Sequence, residues 1–174
     1  MKSTSPIKKI ALSGMFLALA LVLPFFTGQI PQIGAMLAPM HIPVLLGGFL
    51  CGPIWGAVVG IVAPLLRHLL FSMPPLMTAI PMAFELAAYG ALSGIFDRIM
   101  PKGTLFLYLK LILAMLGGRA VWGIAAAVVY GAAGHPFGLQ AFIAGAFINA
   151  LPGIALHIIL LPLIVMAVKK YRQN

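Results

Sequence analysis

The stretch MAFELAAYGALSGI, residues 82–95, places a carboxylate, Glu85, inside a run that is otherwise apolar or small. Glu85 is one of only two acidic residues in the chain. Apolar runs lie on both sides of this stretch, and roughly 20 such residues cross the hydrocarbon layer of a membrane as a helix. The solvent around these helices therefore decides both the fold and the role of Glu85.

The composition predicts a membrane-spanning chain. Of the 174 residues, 63% are hydrophobic and only 7% are charged, and the mean hydropathy is +1.13. A soluble domain of this length needs far more polar surface to cover its core. The expected fold is an all-α membrane protein in which residues 1–174 form a single integral-membrane domain.

The basic residues predict the orientation of the helices. Proline and glycine interrupt the apolar runs and divide the chain into about six helices, which we place at residues 9–27, 41–51, 53–71, 77–96, 105–131 and 139–168. An even number of spans puts both termini on one side, and the positive-inside rule makes that side the cytoplasm. The residues that set this orientation are Lys2, Lys8, Lys9, Arg98, Lys102, Lys169, Lys170 and Arg172.

Because the basic residues lie mainly at helix ends, the net charge of +9 does not predict a nucleic-acid partner. Cys51 is the only cysteine, which excludes a disulfide within the chain and argues against a metal cluster.

Several polar side chains fall within the predicted spans, and most of them lie in the outer half of the membrane. A charged side chain at the bilayer centre costs roughly 3 kcal/mol or more, so such groups normally face a protein interior or a watery cavity. Their common depth predicts a polar cavity that opens outward. The candidate lining residues are Glu85, Arg67, Arg119, Asn149, His41, His68, Tyr89 and Trp122.

Glu85 has two interpretations at this stage. It either neutralises Arg67 or Arg119 as a structural ion pair, or it contacts a bound molecule. Two arginines and one glutamate leave one positive charge over, which an anionic or electron-rich ligand would satisfy. Tyr89, one helical turn after Glu85, and Trp122, three residues after Arg119, would suit a planar ring.

The first apolar run, KKIALSGMFLALALVLPFF, carries a face of small residues. Ala11, Gly14 and Ala18 follow one another at spacings of three and four residues, which allows another helix to approach closely. Gly56 and Gly60 repeat this spacing in the third span, where we expect packing within one bundle.

Motifs for catalysis are missing from the sequence. It contains no GxxxxGK[ST] phosphate loop, no HExxH and no GxSxG. We therefore expect no catalytic residues, no metal and no cofactor in this chain, and a partner that supplies energy. Two other classes remain open, an intramembrane enzyme that pairs His68 or His157 with Glu85, and a small ion or proton channel.

The whole chain resembles the substrate-binding S components of energy-coupling factor (ECF) vitamin transporters. The resemblance rests on ALSGMFLALA at residues 11–20, GQIPQIGAMLAPMHIPVLLGGFLCGP at 28–53 and APLLRHLLFSMPPLMTAIPMAFELAAYG at 63–90. It implies substrate binding in the outer half of the bundle, under the loop that contains Gln29 and Gln32. It also implies that Ala11, Gly14 and Ala18 dock on a transmembrane coupling protein, the T component.

The resemblance further implies two cytosolic ATPases that use ATP, and a prokaryotic plasma membrane. The substrate patterns look most similar to S components for pyridoxine, pyridoxamine or hydroxymethylpyrimidine, and next to those for pantothenate or α-ribazole.

Overall fold

The computed structural model describes residues 5–27 and 30–171, and this part of the chain is helical without strands. Five of the described helices are long and apolar enough to cross a membrane, which agrees with the predicted all-α membrane fold. The sequence predicted about six spans, and the one at residues 41–51 is a shorter apolar helix. Lys2, Gln29 and Arg172 lie outside the described residues. The helices are α1 (Pro6–Val22), α2 (Pro31–Leu37), α3 (His41–Cys51), α4 (Pro53–Phe71), α5 (Leu76–Ile99), α6 (Thr104–Ala132), α7 (Leu139–Ile143) and α8 (Leu151–Tyr171).

Local sequence signals set the helix ends. The Ser5 hydroxyl accepts the backbone N–H of Lys8 at 3.4 Å, and Pro6 occupies the first turn, so α1 begins earlier than residue 9. Gly52 separates α3 from α4 with a φ of 101°, a conformation that L side chains rarely adopt, and Pro53 starts α4 directly after it. Both boundaries agree with the predicted spans 41–51 and 53–71.

The predicted sixth helix, residues 139–168, is not continuous. The chain forms α7, a π-helical segment at Ala144–Ile148, a turn, and then α8 from Leu151. Pro152 explains the break, because a proline in a helix interior has no N–H to donate and its ring clashes with the carbonyl four residues before it, here that of Ile148. In the first turn of α8 the same proline is tolerated.

α3 spans only part of a membrane. Its 11 residues at about 1.5 Å each give a length of about 16 Å, roughly half of the 30 Å hydrocarbon layer. At one end Gly52 lies against the Arg98 guanidinium of α5. At the other end His41 begins the helix inside the bundle with 2% exposure.

The end of the bundle where α3 finishes carries a cluster of ion pairs, and we call it the basic end. Asp97 of α5 lies 3.3 Å from the ammonium of Lys110 on α6, which is buried, and 2.7 Å from the ammonium of Lys169 on α8, which is partly exposed. These pairs join three helices at the side that the positive-inside rule assigns to the cytoplasm. At the opposite end, Arg67 of α4 donates to the carbonyl oxygen of Leu21 on α1.

Glycines bring α3, α4 and α5 into direct backbone contact. A methyl group on Gly56 would lie 2.7 Å from the Gly48 Cα and 2.6 Å from the Gly90 carbonyl oxygen, and one on Gly60 would overlap the backbone at Leu86. Small residues permit such close helix approach in membranes. Gly56 and Gly60 therefore serve packing within the bundle, as their spacing predicted.

We expect the Gly60→Ala variant to unfold at a lower temperature than the wild type, because the added methyl meets rigid backbone. The free energy of unfolding should fall by about 1–3 kcal/mol even after the gain in helix propensity. Thermal unfolding of the detergent-purified protein measures this. Gly131→Ala is the matched control, since nothing lies within 4 Å of a methyl at that helical position; equal melting temperatures for both variants would contradict the packing role.

Candidate functional site

A cavity of about 430 Å³ lies at the end of the bundle opposite the basic end. Its wall combines α2 and the segment that leads from it into α3, the start of α3, the last turns of α4 and the loop that follows. The first half of α5, the middle of α6 and the segment between α7 and α8 complete it. Six of the side chains predicted from their depth line it together. These are His41, Arg67, Glu85, Arg119, Trp122 and Asn149.

An ion pair forms the floor of the cavity. Oε1 of Glu85 lies 3.2 Å from a terminal nitrogen of Arg119 and 3.5 Å from Nε2 of His41. All three side chains are at most 9% exposed, and they come from α5, α6 and α3. The structural pairing of Glu85 is therefore with Arg119 and not with Arg67, and it coexists with a place in the cavity wall.

Two further aromatic side chains enclose His41. The Tyr89 ring meets it edge-on with 5.2 Å between centroids, and the His157 ring stacks on it at 5.9 Å. Tyr89 and His157 are buried and contact the imidazole from outside the cavity lining. Tyr89 shares one face of α5 with Thr78, Met82 and Glu85, as its spacing predicted. It lies one turn further toward the basic end than Glu85 and does not reach the cavity.

Arg67 lies on the other side of the cavity. Its guanidinium packs against the rings of Phe25 and Phe71, 4.7 and 5.2 Å from their centroids, and it donates to the Leu21 carbonyl. Only 3% of Arg67 is exposed. These contacts hold the charged group in one orientation at the edge of the cavity.

His68 supports the loop between α4 and α5 rather than lining the cavity. Its Nδ1 lies 2.9 Å from the Pro74 carbonyl oxygen, which can only accept, so the imidazole donates this hydrogen bond. Met73, Pro74 and Pro75 of the loop do line the cavity. His68 thus acts on the cavity wall through the loop.

Trp122 provides a flat wall. Its indole stacks on Phe142 with 6.2 Å between centroids and meets Phe137 edge-on at 5.6 Å. Gly145, on the π-helical segment, also lines the cavity, and a methyl there would lie 2.7 Å from the indole. The absence of a side chain at Gly145 lets the indole lie against this segment.

The predicted and observed linings differ at particular residues. Gln32 is exposed on α2 and does not line the cavity, and neither do His68 and Tyr89. Sequence reasoning missed several uncharged lining residues, although Thr78 and Met82 precede Glu85 at helical spacing and carry a detectable signal. The missed residues include Pro24, Met40, Thr78, Met82 and Gly145.

The donor set of the cavity suits an organic molecule. Among the described residues no group of three or more His, Cys, Asp or Glu side chains is placed to hold a metal ion. The wall instead offers two guanidinium groups, an imidazole, a carboxylate, an amide and an indole, surrounded by apolar side chains. Apolar pockets with a few convergent polar groups are typical of small-molecule sites.

Comparison with known proteins agrees with this geometry. The family model for the substrate-specific component of ECF transporters matches residues 8–165. No curated protein and no solved structure matches the chain. Since the match covers nearly the whole sequence and the bundle has the expected apolar helices, the chain belongs to the family of ECF transporter substrate-specific components.

Proposed function

We propose that this chain binds a small vitamin or vitamin precursor in the cavity, for uptake driven by partner subunits. The observation that supports this most is the cavity of about 430 Å³, which gathers six of the predicted polar or aromatic side chains in a chain that is only 7% charged. Ligand pockets begin at about 300 Å³, so the volume suits a small molecule.

The energetic cost of these side chains favours a binding role. Charged groups inside the hydrocarbon layer are expensive and are retained at sites for ligands, ions or protons. In the Glu85–Arg119 pair, the carboxylate would accept and the guanidinium would donate hydrogen bonds to the ligand. The Trp122 indole would stack on a ring of the ligand. Asn149 adds an amide that can donate and accept.

Membership of the family gives the general class of activity but not the substrate. The chain is a multi-pass membrane protein and a substrate-binding transport subunit, not an enzyme. The substrates suggested by the sequence resemblance are pyridoxine, pyridoxamine and hydroxymethylpyrimidine first, and then pantothenate and α-ribazole. Gln32, Tyr89 and His68 do not line the described cavity, so they would affect ligand binding only through neighbouring residues.

The partners follow from the same family. Substrate-specific components work with a transmembrane T component and ATPase subunits. For this chain we propose that two cytosolic ATPases use the ATP and that the complex lies in a prokaryotic plasma membrane. The docking face would be Ala11, Gly14 and Ala18, which are exposed on α1, whereas Ser13, Phe16 and Ala20 face the bundle.

Native mass spectrometry of the purified protein tests the proposed function. One vitamin-like molecule bound per chain, released and identified unchanged, is the expected result. A protein that carries no ligand and binds none of a panel of vitamins would overturn the proposal. Conductance of liposomes that contain only this chain would then favour a channel.

We expect Glu85→Gln to weaken ligand binding by on the order of 10–100-fold while folded yield falls much less, because the amide keeps the shape but loses the charge that orients Arg119. Titration calorimetry with the identified ligand, together with the yield of monodisperse protein, separates the two effects. An equal loss of both would show that Glu85 serves only as a structural ion pair.

We expect Gly14→Leu to abolish ATP-driven uptake and co-purification with the T component without changing ligand affinity. Apart from the adjoining backbone of α1, no atom of the described residues lies within 4 Å of a methyl at Gly14, so the larger side chain would project into the proposed interface. Ala127→Leu, at an exposed small residue of α6, is the matched control and should retain uptake. Normal complex formation by the Gly14 variant would rule out this docking face.

A further inference from the structure

Arg67 carries a positive charge that no carboxylate of the described chain neutralises. The chain has two acidic residues, Glu85 and Asp97. Glu85 pairs with Arg119 on the cavity floor, and Asp97 pairs with lysines at the basic end. The contacts of Arg67 are a backbone carbonyl and two phenyl rings, which orient a guanidinium but do not cancel its charge.

The surplus charge lies inside the cavity and away from lipid. Arg67 is 3% exposed and lines the same cavity as the Glu85–Arg119 pair. With histidines counted as neutral, the formal charges of Arg67, Arg119 and Glu85 sum to one positive charge. A buried charge without a counter-ion is costly, and the charged side chains of the cavity leave one positive charge unbalanced.

We propose that the substrate carries a single carboxylate and that Arg67 binds it. This inference rests on the proposed function, since it names the substrate class of the same cavity. A guanidinium matches a carboxylate through two parallel hydrogen bonds, and one carboxylate balances the surplus charge. A phosphate monoester, with a charge of about −1.5 to −2 at neutral pH, would leave negative charge in excess.

Phe25 and Phe71 prepare Arg67 for this role. Their rings lie at 89° to each other with centroids 5.0 Å apart, and the guanidinium contacts both. A side chain held in its binding orientation loses less conformational freedom when the ligand arrives. The rest of the substrate would then extend toward Trp122 and the Glu85–Arg119 pair on the cavity floor.

This inference changes the order of the candidate substrates. Pantothenate carries a carboxylate, whereas pyridoxine, hydroxymethylpyrimidine and α-ribazole do not. The charge balance therefore favours pantothenate, or another small carboxylic acid, over the pyridoxine-type molecules that the sequence resemblance placed first.

Matched pairs of probes test the inference on the wild-type protein. Titration calorimetry of ligand-stripped protein compares pantothenate with panthenol and nicotinate with nicotinamide, alongside pyridoxine and pyridoxal 5′-phosphate. We expect the tightest binder to be a carboxylate that binds on the order of 100-fold more tightly than its neutral counterpart. We also expect a carboxylate in any molecule released from the purified protein.

Variants of Arg67 assign the effect to this residue. Arg67→Gln should lose most of the preference for the carboxylate and keep its affinity for the neutral counterpart, while Arg67→Lys should keep part of the preference. Arg98→Gln is the matched control, because it removes an exposed positive charge at the basic end and should change neither affinity. Thermal unfolding verifies that each variant is folded. The comparison of probes on the wild-type protein does not depend on whether any variant folds.

The outcomes separate this inference from the proposed function. Tight binding of pyridoxine, hydroxymethylpyrimidine or pyridoxal 5′-phosphate in preference to every carboxylate probe would overturn the carboxylate inference and leave the proposed function intact. Equal carboxylate affinity in wild type and Arg67→Gln would overturn the role of Arg67. Failure to bind any probe, together with no released ligand, would overturn both proposals.

Discussion

The burial of Glu85 in a hydrocarbon-solvated bundle is the constraint on which the arrangement of the other helices depends. An ionised carboxylate in the membrane must be paired, because it cannot be solvated there. Its partners are Arg119 at 3.2 Å and His41 at 3.5 Å, so α5, α6 and α3 must meet at one depth. The same pair that satisfies the carboxylate also makes the polar floor of the cavity.

The space above this floor follows from the length of α3. A helix of 11 residues fills only about half of the membrane thickness, from His41 to the basic end. Over that half, Gly48, Gly56 and Gly90 allow direct backbone contact between α3, α4 and α5. α3 begins only at His41, and the cavity lies beyond this first residue, under α2 and the segment Ala38–Met40 that leads into α3.

Much of this arrangement could be predicted from the sequence, because hydropathy and proline or glycine punctuation determine where helices lie in a bilayer. The spans 41–51 and 53–71 agree with the structure for that reason. The span 139–168 was wrong, since one apolar run hides the break at Pro152. Depth along the membrane normal could be predicted, and it identified six of the side chains that line the cavity.

The direction in which each side chain points around its helix, and the contacts of the loops, could not be predicted from the sequence. Depth alone placed His68 and Tyr89 in the site, yet His68 faces Pro74 and Tyr89 lies beneath the floor. The surplus of one positive charge was apparent from the sequence, but the pairing of Glu85 with Arg119, which leaves that charge on Arg67, required coordinates. Arg67 lines the cavity and also donates to the Leu21 carbonyl on α1. Because α1 carries the proposed docking face, a change at Arg67 would alter the proposed ligand contact and a helix contact together. Uptake alone therefore cannot distinguish the two effects, and ligand affinity must be measured on the isolated chain.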